Sequence, residues 1–224
     1  MIIPRKFSYV TDLDKIISTE EIFQETKKHE SVLKGTSITN LIYFSRTYTI
    51  TNRNIDTARG NGYFSQPEIV EKLQLHFAHL YFEVINEYFE SGSMPGQWLS
   101  AGASRRFGLM SAEVSLLLAV KAHIQCDAPL ALGRLGVAPE LVVSDYFRIQ
   151  KVLMSSSREV VATIRNDAPH PSITGVIYRL LIPPIGIVML VWRLKAWRVF
   201  KKAEYSKTTS FEQRFYDPAP ERIG

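Results

Sequence analysis

Residues 65–92 read SQPEIVEKLQLHFAHLYFEVINEYFESG, and this stretch decides the fold class. Its apolar side chains recur every three to four residues from Ile69 to Tyr88, which is the period of one helix face. Ser65-Gln66-Pro67-Glu68 has the spacing of a capping box with proline at the first helical position, and Gly92 is a typical stop. The stretch therefore predicts a long helix. A polar strip lies between two apolar lines of this helix and consists of His76, His79 and Glu83.

Three further helices are predicted downstream. One runs from about Leu109 to Asp127 and is apolar on nearly every side, so it is a buried central helix that Pro129 ends or kinks. Another spans about 140–165, a hinge follows at 167–171, and the last helix covers about 185–203. The chain is expected to be an all-α, single-domain helical bundle of about six to eight helices. Its expected parts are an irregular region at 1–60, core helices at 65–165 and an apolar, then basic, terminal helix at 173–207.

The charge is concentrated at the C-terminal end. The chain has 27 basic and 22 acidic residues, and residues 1–172 contain equal numbers of each, so residues 173–224 carry the net charge of +5. This distribution argues against a uniformly basic nucleic-acid-binding domain, so no nucleic-acid partner is predicted. The apolar content of 46% favours a folded chain over a disordered one.

The single cysteine and the missing motifs exclude several classes of protein. Cys126 is alone, so an intrachain disulfide and a four-cysteine zinc site cannot form, and a cytoplasmic location is expected. The first residues lack the apolar stretch of a signal peptide. The sequence also contains no G-x-G-x-x-G, P-loop, G-x-S-x-G or H-E-x-x-H motif.

The terminal helix leaves two alternatives open. Residues 180–192 are 13 consecutive uncharged residues, which span about 20 Å as a helix against a hydrocarbon core of about 30 Å, so a transmembrane helix is disfavoured. The basic run from Arg193 to Lys207 then fits either the solvated end of a core helix or a peripheral contact with anionic lipid. A membrane-peripheral lipid-binding module is thus one candidate function.

Ionisable side chains on the central helix indicate a candidate catalytic or metal-binding site. Glu113, His123 and Asp127 fall within an arc of about 80° on a helical wheel, and His123 and Asp127, four residues apart, can meet on one face. The pair can serve packing alone, as a neutral imidazole that a carboxylate orients. Burying several such groups is costly, however, unless they pair or bind something.

Two chemistries can use these groups. In the first, His123 is a general base or acid that Asp127 orients, and Glu113 or Glu83 supplies the opposite proton transfer. In the second, His and carboxylate ligands such as the His76-x-x-His79 pair hold a divalent metal of a hydrolase. The preferred prediction is a cofactor-independent, non-redox enzyme that cyclises, isomerises or hydrolyses a hydrophobic metabolite. The catalytic candidates are His123, Asp127, Glu113, His79 and Glu83. The substrate-binding candidates are His76, Lys121, Gln125, Tyr81, Trp98 and Asp145.

The segment Ala122-His123-Ile124-Gln125-Cys126-Asp127-Ala128-Pro129-Leu130 resembles the Ala-His-Ile-Asn-x-Asp-Leu-Pro signature of an uncharacterised bacterial family, domain-of-unknown-function family 5995. The resemblance implies an all-helical fold with His123 and Asp127 in the family's site, and it implies no reaction. Lys121 and Gln125 stand where the family tends to have Asn. The other similar segments are Phe64 to Glu90 with its Leu75-His76-Phe77-Ala78-His79-Leu80-Tyr81-Phe82, then Gln97-Trp98, Asp145-Tyr146, and Arg193 with Ala196-Trp197.

Overall fold

The structure, a computed structural model, describes residues 9–102, 112–165 and 171–206, with side chains except those of 164–165, 171–184 and 204–206. Within these ranges the regular elements are helices and no strand occurs, which confirms the all-α class. A 3-10 turn at Leu13–Lys15 precedes the first helix, and a π turn at His123–Asp127 joins the fifth helix to the sixth. The helices are α1 (Thr19–Val32), α2 (Leu41–Gly60), α3 (Pro67–Ser91), α4 (Gly96–Gly102), α5 (Ala112–Ala122), α6 (Ala128–Arg134), α7 (Pro139–Ser155), α8 (Ser157–Arg165) and α9 (Pro171–Ser206).

Helices α1 and α2 occupy the segment that was expected to be irregular. The α2 sequence contains many β-branched residues, which usually favour strands. Its hydroxyl side chains nevertheless turn back onto the helix: Thr49 donates to the carbonyl of Ser45 at 3.0 Å, and Thr51 donates to that of Thr47 at 2.9 Å. These groups are thereby satisfied inside a helix. Packing against α1, α5 and α7 supplies the stability that propensity alone does not.

The start of α3 differs from the predicted capping box. The side chain at the N-cap, Gln66, makes no capping hydrogen bond. Instead the carboxylate of Asp145 on α7 accepts the backbone N–H groups of Ser65 at 3.0 Å and Gln66 at 2.6 Å, and Arg148 donates to it at 3.1 Å. A carboxylate that is distant in sequence thus caps the N-terminus of α3 in place of a local side chain. The predicted stop is confirmed, since Gly92 adopts the left-handed conformation with φ of 76°.

The C-terminal helices also differ from the prediction. The third predicted helix is divided at Ser156 into α7 and α8. The last helix was expected to begin at about residue 185, but the backbone of α9 is helical from Pro171 to Ser206 and continues through Pro183 and Pro184. A proline removes one hydrogen bond and can bend a helix without ending it. The predicted start at Leu109, the hinge residues 167–170 and Lys207 lie outside the described residues. Within the described ranges, no helix is both long and apolar enough to cross a membrane.

The buried apolar side chains form two clusters. One lies among α1 to α5 and includes Phe44, Tyr81 and Trp98. The other lies among α2, α3, α6, α7 and α9 and includes Tyr146 and Trp197. The π turn lies where the chain passes from the first cluster, at Ala122, to the second, at Ala128. Its ionisable side chains are therefore held between two packed cores.

A buried polar group ties the N-terminal segment to α1. Thr11 donates its hydroxyl proton to Glu25 at 2.8 Å, and Tyr9 also donates to Glu25. Since that proton is used, His29 must donate from Nε2 to the Thr11 oxygen, 3.1 Å away. The Nδ1 atom of His29 is buried without a partner among the described residues. His29 is therefore a neutral imidazole.

His29 should make the protein less stable in mild acid. Burial lowers the pKa of His29 from 6.5 to about 4, so between these values only the unfolded chain binds the proton. The stabilisation is complete above pH 6.5 and is lost as the pH falls towards 4, by about 3 kcal/mol in total. Urea unfolding of the wild type and His29→Gln at pH 7 and pH 4.5 measures this contribution. An equal loss of stability in both proteins would contradict it.

Candidate functional site

The backbone of the site is shaped by Pro129. A proline near the start of α6 cannot donate a hydrogen bond, and in a regular α-helix its ring would clash with the carbonyl of Gln125. The chain avoids this clash with a wider π turn, in which the N–H of Ala128 donates to the carbonyl of His123. π turns inside helices occur often at functional sites. The expected kink at Pro129 is thus a turn one residue wider than an α-turn, and the helix continues beyond it.

His123 and Asp127 form a buried hydrogen-bonded pair within this turn. Nδ1 of His123 lies 2.8 Å from Oδ2 of Asp127. His123 is 8% exposed and Asp127 is 0% exposed. When Asp127 is ionised its carboxylate only accepts hydrogen bonds, and in that state the proton lies on Nδ1 and the lone pair lies on Nε2. No atom of the described residues forms a hydrogen bond with Nε2. This nitrogen is the basic atom of the pair.

The carboxylate of Asp127 lies in an environment that opposes its charge. Burial raises the pKa of Asp127, the negative charge of Glu83 raises it further, and the hydrogen bond from His123 opposes the rise. The indole N–H of Trp98 also favours the ionised form, although it lies outside normal hydrogen-bond geometry. A positive charge on the imidazole of His123 would favour the ionised form of the Asp127 carboxylate.

Three buried polar atoms in and around the pair have no partner within normal hydrogen-bond geometry among the described residues. They are Oδ1 of Asp127, Nε1 of Trp98 and the hydroxyl of Tyr48. An unsatisfied buried polar atom costs about 1–3 kcal/mol. Such atoms are rare in folded proteins, and three of them beside one histidine favour a binding or catalytic role over packing alone.

Aromatic rings surround the imidazole of His123. Their centroids lie 5.2 Å (Phe44), 5.1 Å (Tyr48), 4.7 Å (Phe77) and 6.0 Å (Trp98) from that of the imidazole. Helices α2, α3 and α4 supply these rings. Sequence reasoning predicted Trp98 but missed the other three. Phe44 and Tyr48 are four residues apart, so their position on one face could have been predicted if the segment had been recognised as a helix.

Glu113 does not reach the pair. It lies ten residues before His123 on a continuous helical path, which separates them by about 15 Å along the axis. The helical wheel that grouped them discards this axial distance. Two other predicted residues lie close to the pair in sequence: Lys121 on α5 is exposed, and Gln125 on the π turn is half-buried. Burial raises the pKa of the Cys126 thiol to about 12, so this cysteine is protonated at neutral pH.

The polar strip of α3 contacts neighbouring elements. Nε2 of His79 donates to the carbonyl of Ile16 at 2.8 Å. Glu83 accepts two hydrogen bonds from Arg134 on α6, at 3.0 and 3.3 Å. Burial lowers the pKa of the half-buried His76. The Tyr81 hydroxyl pairs with Ser45 at 2.6 Å, and Asp145 is occupied by the start of α3. Of these predicted residues, Glu83 acts on the pair, through its charge.

The described residues contain no group of three or more His, Cys, Asp or Glu side chains that could hold a metal ion. His76 and His79, the predicted ligand pair, lie on adjacent turns of α3, and one nitrogen of His79 is already bonded to the Ile16 carbonyl. The metal-dependent hydrolase stays a prediction that this part of the chain does not support.

A family model described as a family of unknown function, DUF5995, matches residues 21–218. The match covers most of the chain. The chain belongs to DUF5995. Searches among curated proteins and among solved structures found no match. The segments that resemble DUF5995 in sequence have clear places in the fold: His123 and Asp127 form the buried pair, and Arg193 and Trp197 pack against Tyr146.

Proposed function

We propose that this DUF5995 protein is an enzyme that performs non-redox acid–base chemistry on a hydrophobic small molecule at His123. The observation that carries the proposal is the 2.8 Å hydrogen bond from Nδ1 of His123 to Asp127 inside an aromatic enclosure. A histidine held in this way presents Nε2 as a base, and the carboxylate stabilises the imidazolium that forms. The same nitrogen can return the proton to the product.

In this proposal Tyr48 is the hydrogen-bond donor that complements the base His123. Glu83 is held in an ion pair with Arg134, and Glu113 is distant, so neither carboxyl group suits the role first expected of them. The Tyr48 hydroxyl is buried on a ring 5.1 Å from the imidazole, and Asn52, the side chain that acts on it, lies outside normal hydrogen-bond geometry. Burial raises the pKa of Tyr48, so the hydroxyl keeps its proton. It can donate a hydrogen bond to negative charge that develops on the substrate.

The aromatic enclosure supports the proposal of a hydrophobic substrate. The rings of Phe44, Phe77 and Trp98 offer an apolar wall, which suits an uncharged, hydrophobic molecule. Proton transfer from such a molecule is the first step of a cyclisation, an isomerisation or a general-base hydrolysis. The proposed reaction needs no cofactor, and the location proposed for it is the cytoplasm.

The test is a comparison of turnover on two probe sets. Hydrophobic 4-nitrophenyl esters report hydrolysis, and exchange of deuterium next to the carbonyl of hydrophobic ketones reports proton abstraction. We expect turnover by the wild type and by His29→Gln, a buried histidine of α1 whose ring contacts Tyr9, Tyr81 and Phe82 and not the imidazole of His123, and loss of turnover in His123→Ala. A folded His123→Ala protein that works at the wild-type rate would refute the proposal.

A further inference from the structure

The outward side of α9 presents apolar side chains that are exposed in the described part of the chain. Five of these residues lie close together in sequence, and their exposed fractions range from 37% to 66%. Three exposed basic residues follow on the same side of the helix. We call this surface the α9 outer face; it consists of Ile187, Val188, Leu190, Val191, Leu194, Lys195, Arg198 and Lys202.

The apolar and basic residues of the α9 outer face are separated along the helix axis. The apolar half spans eight residues, from Ile187 to Leu194, or about 10 Å along the axis. The basic half follows directly, and no acidic residue lies between 185 and 203. Arg193, which the sequence assigned to the basic surface, is 3% exposed and faces the core. The cations of this face are therefore Lys195, Arg198 and Lys202.

A second copy of the chain is a poor occupant of this face. Two-fold pairing brings the same surface of both copies together. If the two helices ran parallel, the basic halves would repel each other. If they ran antiparallel, each basic half would lie on the partner's apolar half, which would remove water from the cations without supplying counter-charges.

A bilayer surface has an apolar region and an anionic region side by side, which matches the apolar and basic halves of the α9 outer face. Its acyl region accepts apolar side chains, and its anionic headgroups, one layer further out, attract cations. We propose that the α9 outer face docks on anionic membranes, with Ile187 to Leu194 at the acyl boundary and Lys195 to Lys202 at the headgroups. The helix then enters the surface obliquely. This inference is independent of the reaction proposed at His123.

Vesicle co-sedimentation tests the inference with the full-length chain. The probes are vesicles of equal parts phosphatidylglycerol and phosphatidylcholine, and vesicles of phosphatidylcholine alone. Each cation near an anionic surface contributes about fivefold in affinity, so the triple variant Lys195→Gln, Arg198→Gln, Lys202→Gln should bind the anionic vesicles roughly 100-fold more weakly. A matched control, Lys27→Gln, Lys34→Gln, Lys151→Gln, removes the same net charge from exposed positions elsewhere and should bind as the wild type does.

The double variant Ile187→Ser, Val191→Ser tests the apolar half. Both side chains are exposed, so the fold should be unaffected and binding should weaken at least tenfold. Equal binding to both kinds of vesicle, or equal weakening in the two charge triples, would overturn the proposal. A wild-type dimer in size-exclusion chromatography that the double variant converts to a monomer would also overturn it, in favour of a second copy of the chain.

Discussion

Asp127→Asn should reduce turnover by about 10²–10⁴-fold and leave the free energy of unfolding unchanged or higher. The amide is nearly the same size as the carboxylate, so packing around it is preserved. It can present its NH₂ group to Nδ1 of His123, which favours the tautomer with the proton on Nε2. That tautomer cannot act as the base. The amide also gives the imidazolium no counter-charge.

The stability half of this prediction follows from burial. Asp127 is 0% exposed, and its Oδ1 atom has no hydrogen-bond partner among the described residues. Burial raises the pKa of Asp127, which means that the fold opposes the charge it contains. Replacing the carboxylate by a neutral group removes that cost. A residue retained only for packing would not show this combination of lost activity and preserved stability.

Urea unfolding and a turnover assay on the same protein samples measure both halves. The control is Glu25→Gln, a buried carboxylate that accepts hydrogen bonds from Thr11, Tyr9 and Lys28. We expect the reverse pattern from it, a loss of about 1–3 kcal/mol of stability with unchanged turnover per folded molecule. If Asp127→Asn behaved like Glu25→Gln, the pair would be a packing element and not a catalytic one.

The sequence patterns correctly predicted those features that depend only on residues close together in the chain. The period of α3 reports one long buried face, and the spacing of His123 and Asp127 places both on one side of a helical turn. These features appear in the structure because they are set within a few residues. Glu113 shows the limit of the same reasoning: its direction around the axis was inferred, and its distance along the axis was not considered.

Long-range contacts explain what the sequence could not reveal. The carboxylate of Asp145 caps a helix that begins about 80 residues earlier in the chain, and no periodicity reports such a contact. The aromatic enclosure of His123 has the same origin. Phe44 and Tyr48 come from α2, whose β-branched residues hid its helical character, and they meet the imidazole only after α2 packs against α5.

Arg193 should be important to the fold through its volume and contacts more than through its charge. Its guanidinium lies 3.9 Å from the ring centroid of Tyr146, and its Nη2 atom donates to the Tyr146 carbonyl. Trp197, one turn later, stacks on the same ring at 5.5 Å. Arg193→Ala removes these contacts and leaves a cavity in the second cluster. We expect it to lower the free energy of unfolding by about 3–5 kcal/mol.

Arg193→Met should be much less damaging, with a loss of at most about 1–2 kcal/mol. Burial lowers the pKa of Arg193, and its Nε atom has no partner among the described residues, so the charged form is costly where it lies. Methionine fills a similar volume with an unbranched chain and removes that cost, which offsets the lost cation–π contact and hydrogen bond. The hydrogen bond from the Tyr146 hydroxyl to the backbone carbonyl of residue 193 is retained in both variants.

Urea unfolding of the two variants separates volume from charge. Arg198→Ala is the matched control, because Arg198 is exposed on the same helix and its loss should change stability by less than about 0.5 kcal/mol. If Met and Ala at residue 193 were equally destabilising, the positive charge itself would hold α9 on α7. A counter-charge would then have to lie against Arg193, and the account in which Arg193 and Trp197 act by packing against Tyr146 would be wrong.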